Sequence, residues 1–162
     1  MKKGPKKTNH PWIGTAVICE NVLEGKDGVM SAIRIVDTFT VTKPTEWDEA
    51  TPLRIRLQGL LILRAGDVTG ERTIRLIGTS PKRKRTKFYD FKVTFTGGAT
   101  NVNVHLDFIM SFKHDGVHWL DVYVEKWHAT RIPVTIIFRD ASSPSQDPQA
   151  TNQEKQSAKA SV

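Results

Sequence analysis

Few side chains in this 162-residue chain are suited to catalysis or metal binding: five histidines, one cysteine and 17 carboxylates. His114 and His118 flank Asp115-Gly116, a dipeptide that favours a tight hairpin because its turn positions accept positive φ. Such a hairpin brings the two imidazoles near one another, and His105 or Asp107 from a neighbouring strand would extend them toward a zinc-type set. No recognised ligand spacing is met, so solvated hairpin histidines are the favoured reading. Asp37 keeps the period-two register of Ile33, Ile35, Phe39 and Val41. That register puts a carboxylate on an apolar face, where it needs a partner, unless a bulge turns it outward. No G-x-S-x-G or reactive-cysteine signature appears. Cys19 shares its strand face with Ile13 and Val17 and reads as a buried thiol. One cysteine excludes an internal disulfide and a multi-cysteine metal site. The chain therefore reads as non-enzymatic and without a cofactor, with an enzyme or metal site near Asp37 or His114/His118 as the remote alternative.

Binding chemistry is better represented. Lys82, Arg83, Lys84, Arg85 and Lys87 place five cations within six positions, and Lys2, Lys3, Lys6 and Lys7 add four more. Setting those nine aside leaves 15 basic against 17 acidic residues, so the net charge of +7 resides in one tail and one loop. That distribution argues against a broad nucleic-acid face but leaves two local patches that attract anions. Phosphate contacts from Lys2–Lys7 and Lys82–Lys87 form the polyanion-binding alternative. Arg54, Arg56 and Arg75 are expected to align across two adjacent strands, holding phosphate or an acidic protein surface or pairing with Glu71, Asp90 or Asp107. Trp119 and Tyr123 alternate onto the polar face of their strand beside Asp121 and Glu125. Core packing is the favoured reading of this pair, and an aromatic contact surface is the other. Trp47 stands in an acidic loop, "EWDE", and reads as exposed. Phe88, Tyr89 and Phe91 follow the basic loop, but two of them fall on the apolar face, which weakens a base-stacking role.

The elements that must position these residues are strands. Apolar residues alternate almost throughout, most clearly at Val102, Val104, Leu106, Phe108, Met110 and Phe112, and period two marks a half-buried strand. Turn-forming clusters such as "AGDVTG", "GTSP" and "KHDG" separate about eight such runs, near 12–20, 29–41, 53–63, 72–79, 88–96, 101–112, 117–125 and 131–138. One helical coil is expected within residues 43–52, between two prolines. With no connection long enough for a crossover helix, the order reads as antiparallel. An apolar face on each strand predicts an all-β, immunoglobulin-like two-sheet sandwich; a small closed barrel is the second choice. Pro133 cannot donate to a ladder, so its strand is expected at an edge or near its own start. Residues 1–10 and 140–162 are polar and read as disordered tails around a domain at 11–139. No run nears the ~20 apolar residues of a membrane span, and no apolar stretch follows the basic start as in a signal peptide. The location reads as cytoplasmic.

Two stretches carry a resemblance. "AVICENVLEGKDGVMSAIRIVDTF" (16–39) runs from a hydrophobic strand through an acidic stretch and a turn to a G-x-x-S strand ending near an aspartate and an aromatic. "DGVHWLDVYVEKWHATRIPVTIIF" (115–138) ends in "RIP" and a final strand. The layout resembles a group of uncharacterised bacterial β-sandwich domains, across most of residues 11–139. The resemblance implies a compact sandwich and no reaction; the tails, the "PKRKR" turn and Trp119 depart from it. The expectation for function is an interaction module that presents its loops and basic hairpin tip to a protein partner.

Overall fold

Residues 10–48 and 50–140 are described by the computed structural model, with Lys87 and Phe88 described by their backbone alone. The expected tails, Lys2–Lys7 included, lie outside the described residues, apart from His10 and Asp140. His10 stacks on Trp127, with ring centroids 4.8 Å apart, and so belongs to the folded body.

Period-two sequence produces seven strands among the described residues: β1 (Trp12–Glu24), β2 (Met30–Ile35), β3 (Thr38–Thr42), β4 (Leu53–Thr79), β5 (Arg85–Phe112), β6 (Gly116–Val124) and β7 (Trp127–Arg139). β4 and β5 form one long antiparallel ribbon, from Leu53 opposite Phe112 to Thr79 opposite Arg85. Its register shifts around Gly66 and Thr69, where Gly66, Gly97 and Gly98 take φ of +55°, +80° and +67°. Such left-handed backbone is open to glycine at little cost, and irregularities of this kind bend a strand pair. β4 then changes neighbours. Before the bend it pairs with β1, Trp12 to Cys19 against Arg64 to Gln58. After the bend it pairs with β6, Ile74 to Thr79 against Val124 to Trp119. The two halves turn their alternate apolar residues into one core, with Leu57 and Leu61 from the first half and Leu76, Val122 and Ile136 from the second. A smaller cluster of Cys19, Val22 and Leu60 covers part of the other face of β1 and β4.

The all-β reading holds, but the strands make one open mixed sheet, ordered β2-β1-β4-β6-β7-β3 with β5 on β4. It is neither two separate sheets nor a closed barrel. Glycine-bearing bends keep residues 53–63 and 72–79 in one strand, and likewise 88–96 and 101–112, because the turn clusters at 65–70 and 96–98 bend the ribbon without ending it. Antiparallel order fails once: β3 runs parallel to β7, Thr38 to Thr42 beside Thr135 to Arg139. No crossover helix is needed, since three other strands intervene in the chain. The run 29–41 breaks at Val36–Asp37 into β2 and β3. Asp115-Gly116 makes no hairpin, because β5 pairs with β4 and β6 pairs with β4 and β7; the link passes from one half of the fold to the other. Among the described residues of 43–52, turn hydrogen bonds stand in place of the expected helical coil, Trp47 N–H to Pro44 C=O (3.0 Å) and Thr51 N–H to Asp48 C=O (2.9 Å). Pro133 lies in the middle of β7, opposite Trp119 of β6 and two residues before pairing with β3 begins at Thr135, so the expected strand start is corrected: the proline falls where the β3 ladder has not yet begun. Among the described residues no helix is long and apolar enough to cross a membrane.

Gly59 lies opposite Ile18 where β4 packs tightly against β1. A Cβ there would lie 2.6 Å from the Val17 carbonyl oxygen and 3.2 Å from Ile18 Cδ1. Backbone cannot yield as a side-chain tip can. Gly59→Val is expected to cost about 3 kcal/mol, the upper range for overpacking, read as a lower urea midpoint at unchanged m-value.

Candidate functional site

β6 turns Leu120, Val122 and Val124 into the core, so alternation sends Val117, Trp119, Asp121 and Tyr123 to the opposite face. Asp121 is nonetheless 0% exposed. Its Oδ1 accepts from Arg131 Nε at 2.7 Å and His128 Nε2 at 2.9 Å, and its Oδ2 accepts from Thr79 Oγ1 at 2.9 Å. Burial alone would raise the carboxyl pKa, but the hydrogen bonds from Arg131, Thr79 and His128 and the guanidinium charge outweigh it and hold the pKa below the usual carboxylate value. A buried charge is tolerated when paired and hydrogen-bonded, and this one anchors its surroundings. Arg131, fixed through Nε, lies over the Trp119 ring at 5.3 Å. Arg85 donates to the Tyr123 hydroxyl at 2.8 Å and lies 5.9 Å from its ring centroid. His128 packs on the other aromatic, Tyr123, at 4.9 Å.

Thr79, Arg85, Trp119, Tyr123 and Arg131 border an open groove of about 640 Å³, which the β4–β5 hairpin tip also lines. The tip is ordered by its own bonds: Ser80 N–H to Lys84 C=O (2.9 Å), Arg83 N–H to Ser80 C=O (2.8 Å) and Lys84 N–H to Ser80 Oγ (3.1 Å). Arg83 takes φ of +60° to close it. Arg83 and Arg85 line the groove together with Arg131, Trp119 and Tyr123, and no described carboxylate lines it. Lys82 and Lys84 line a separate pocket. The expected hairpin tip is therefore present, with its arginines and lysines sent to different sites.

The other expected residues are scattered. Trp119 and Tyr123 are half-buried on the outer face, so the favoured core reading is corrected. Arg54, Arg56 and Arg75 do not align across two strands. All three belong to β4, Arg54 and Arg56 before the bend and Arg75 after it. Arg56 binds Asp107, with Nε to Oδ1 at 2.8 Å, and Arg75 binds Asp90 at 3.2 Å. Trp47 is partly buried, donating to the Thr51 carbonyl at 2.9 Å and packing 5.3 Å from Phe138; the open-loop expectation fails because its ring clasps the end of β7. Asp37 lies outside the strands and exposed, its Oδ1 accepting from Thr38 Oγ1 at 3.1 Å. The break between β2 and β3 removes the register that put it on an apolar face.

His114 and His118 lie near one another, as expected, and border one pocket, but they build no ligand set. His118 is buried, its Nε2 donating to the His114 carbonyl at 2.9 Å and its ring edge-on to Phe112 at 4.8 Å. Desolvation lowers its pKa and favours the neutral ring. His105 Nε2 instead meets Gln58 Oε1 at 3.3 Å. No three His, Cys, Asp or Glu side chains stand together as metal ligands among the described residues. Cys19 is buried, as expected, and burial pushes its thiol pKa up, opposite to what a reactive thiolate needs.

Sequence reasoning missed the Thr79–Asp121–His128–Arg131 cluster. Tyr123 faces His128 around a two-residue Glu125-Lys126 turn, and continuing that register would set Asp121 opposite Thr130. A bulge between Val122 and Tyr123 shifts it by one and delivers Arg131. The turn itself has Glu125 at φ of +56°, a conformation that glutamate rarely signals. No protein-family model matches the chain, and no curated protein matches it.

Proposed function

We propose that the protein is a non-enzymatic binding module that holds an acidic segment of a protein partner in the groove between the hairpin tip and the outer face of β6. One observation carries the reading: Arg83, Arg85, Arg131, Trp119 and Tyr123 converge on a single groove that no described carboxylate lines. Trp, Tyr and Arg are the residue types that dominate binding energy at protein interfaces, and guanidinium forks suit carboxylates. The ring faces favour this occupant over a nucleic acid. Arg131 lies over Trp119 and Arg85 over Tyr123, so a stacking base would have to displace a guanidinium from each. In this reading the bent sheet serves as the two-layer, immunoglobulin-like support of a cytoplasmic protein akin to the bacterial group it resembles, and the oligomeric state plays no part.

The test uses a fluorescent peptide of alternating glutamate and alanine, with an oligothymidylate of equal charge as comparison. Saturable peptide binding is expected, weakened at least tenfold by R83E/R85E and about tenfold by Trp119→Ala. Tighter oligothymidylate binding that both variants abolish would transfer the groove to the polyanion alternative. Peptide binding that neither variant changes would remove the groove from the function altogether.

A further inference from the structure

The same hairpin has a second side. Around its turn Lys82, Lys84 and Thr86 leave the arginine groove and line a pocket of about 370 Å³, with Ser80 bordering both. The bend in the ribbon builds the opposite wall. It returns the far end of β5 to the start of the same strand, so Ile109 lines the pocket together with Thr86, backed by Met110, which is buried in the core. Pro52 adds a further apolar surface, and His118 lies at the buried side. Lys113 completes the rim, its Nζ held by the Ala50 carbonyl at 2.9 Å.

Three features define what fits. The size falls within the few hundred Å³ of small-ligand sites, which combine apolar walls with a few convergent polar groups. The charge is one-sided: Lys82, Lys84 and Lys113 line the pocket and no described carboxylate does. Ile109, 51% exposed, is a large apolar side chain that a bound molecule would cover. A large fully charged ligand would leave the Ile109–Met110 wall unused, and a neutral apolar one would leave three ammonium groups without a counter-charge.

We propose that this pocket binds a small amphipathic anion, a single carboxylate on a compact apolar body. The carboxylate sits among the three lysines at the rim and the apolar body lies along Ile109 and Pro52. The site is distinct from the arginine groove and does not rest on the reading of that groove, because, Ser80 apart, different residues line each.

The test is displacement of 8-anilinonaphthalene-1-sulfonate from the full chain, followed by its fluorescence. Octanoate is expected to displace the dye saturably at one site, with acetate and octanol at least tenfold weaker. K82E/K84E should weaken octanoate at least tenfold and Ile109→Glu comparably, while R83E/R85E leaves it within twofold. Near-wild-type circular dichroism confirms that these exposed substitutions fold. Equal displacement by octanol, or octanoate binding that survives both K82E/K84E and Ile109→Glu, overturns the proposal. So does loss of octanoate binding in R83E/R85E, which would place the anion in the arginine groove.

Discussion

Asp121→Ala is expected to destabilise the fold by about 3 kcal/mol, although the residue belongs to the strand face opposite the main core. Removing one partner from a buried ionic cluster costs about 3–5 kcal/mol because the remaining groups lose their counter-charge. Here Arg131 and His128 are 47% and 44% exposed at the side chain, so water recovers part of the loss and the lower figure applies. Asp121→Asn keeps the volume but turns an amide N–H₂ toward donors, and about 2 kcal/mol is expected, on the scale of a lost charge-assisted hydrogen bond. The pH dependence follows from the depressed carboxyl pKa. The unfolded chain takes up the proton first, near pH 3.9, so the contribution is fully present above that value and is lost as pH falls through the folded-state pKa. Urea midpoints between pH 3 and 7 should therefore fall less steeply at the acid end in Asp121→Asn than in the wild type. Equal acid slopes would show that the cluster does not depend on the carboxylate. The substitution also releases Arg131 from its Nε anchor, so binding of the acidic peptide should weaken beyond what the stability loss explains.

Phe112→Ala is expected to cost about 4 kcal/mol, within the range for emptying an aromatic site in a packed core. The ring is fully buried and meets the His118 imidazole edge-on at 4.8 Å, so its loss also opens a route for water to His118. That couples the substitution to pH. His118 has a folded-state pKa below the ordinary value because burial disfavours the cation. Between that lowered value and about 6.5 the unfolded chain binds the proton and the folded one does not. The stability from neutral His118 is thus fully present above about pH 6.5 and declines as pH falls toward the folded pKa. In Phe112→Ala the hydrated ring should titrate closer to its ordinary value, and the loss of stability between pH 6.5 and 5 should shrink. Denaturation at pH 5, 6 and 7 measures it. A decline as steep as the wild type's would mean that Phe112 does not keep water from His118.

The strands were legible because alternation is a local property. Leu57 and Leu61 or Leu120 and Val122 announce their side of the sheet from their spacing alone, and each lies in the core. The hairpin tip at 80–84 was equally readable, since "GTSP" precedes a run too charged to bury. What failed involved continuity and register. Gly66 and Gly97 look in sequence like turn residues, yet in the fold they bend a ribbon that carries on past them. Nothing in the sequence shows that the bend in β4 separates Arg75 from Arg54 and Arg56.

The composition and period-two pattern by themselves determined an all-β body, an inert buried Cys19 and a charge excess concentrated in one loop and one tail. The tertiary structure alone decided what that loop faces. A one-residue bulge in the β6–β7 pairing sets Arg131 against Asp121, and the fold-over of β4 and β5 brings the lysines of the tip to Ile109 and Met110. Both depend on residues far apart in the chain, and long-range register carries no periodic signature of its own. A shift of one position moves a side chain to the other face of the sheet. The tip adds a local case: the left-handed turn at Arg83 sends Arg83 and Lys84, neighbours in sequence, to two different sites.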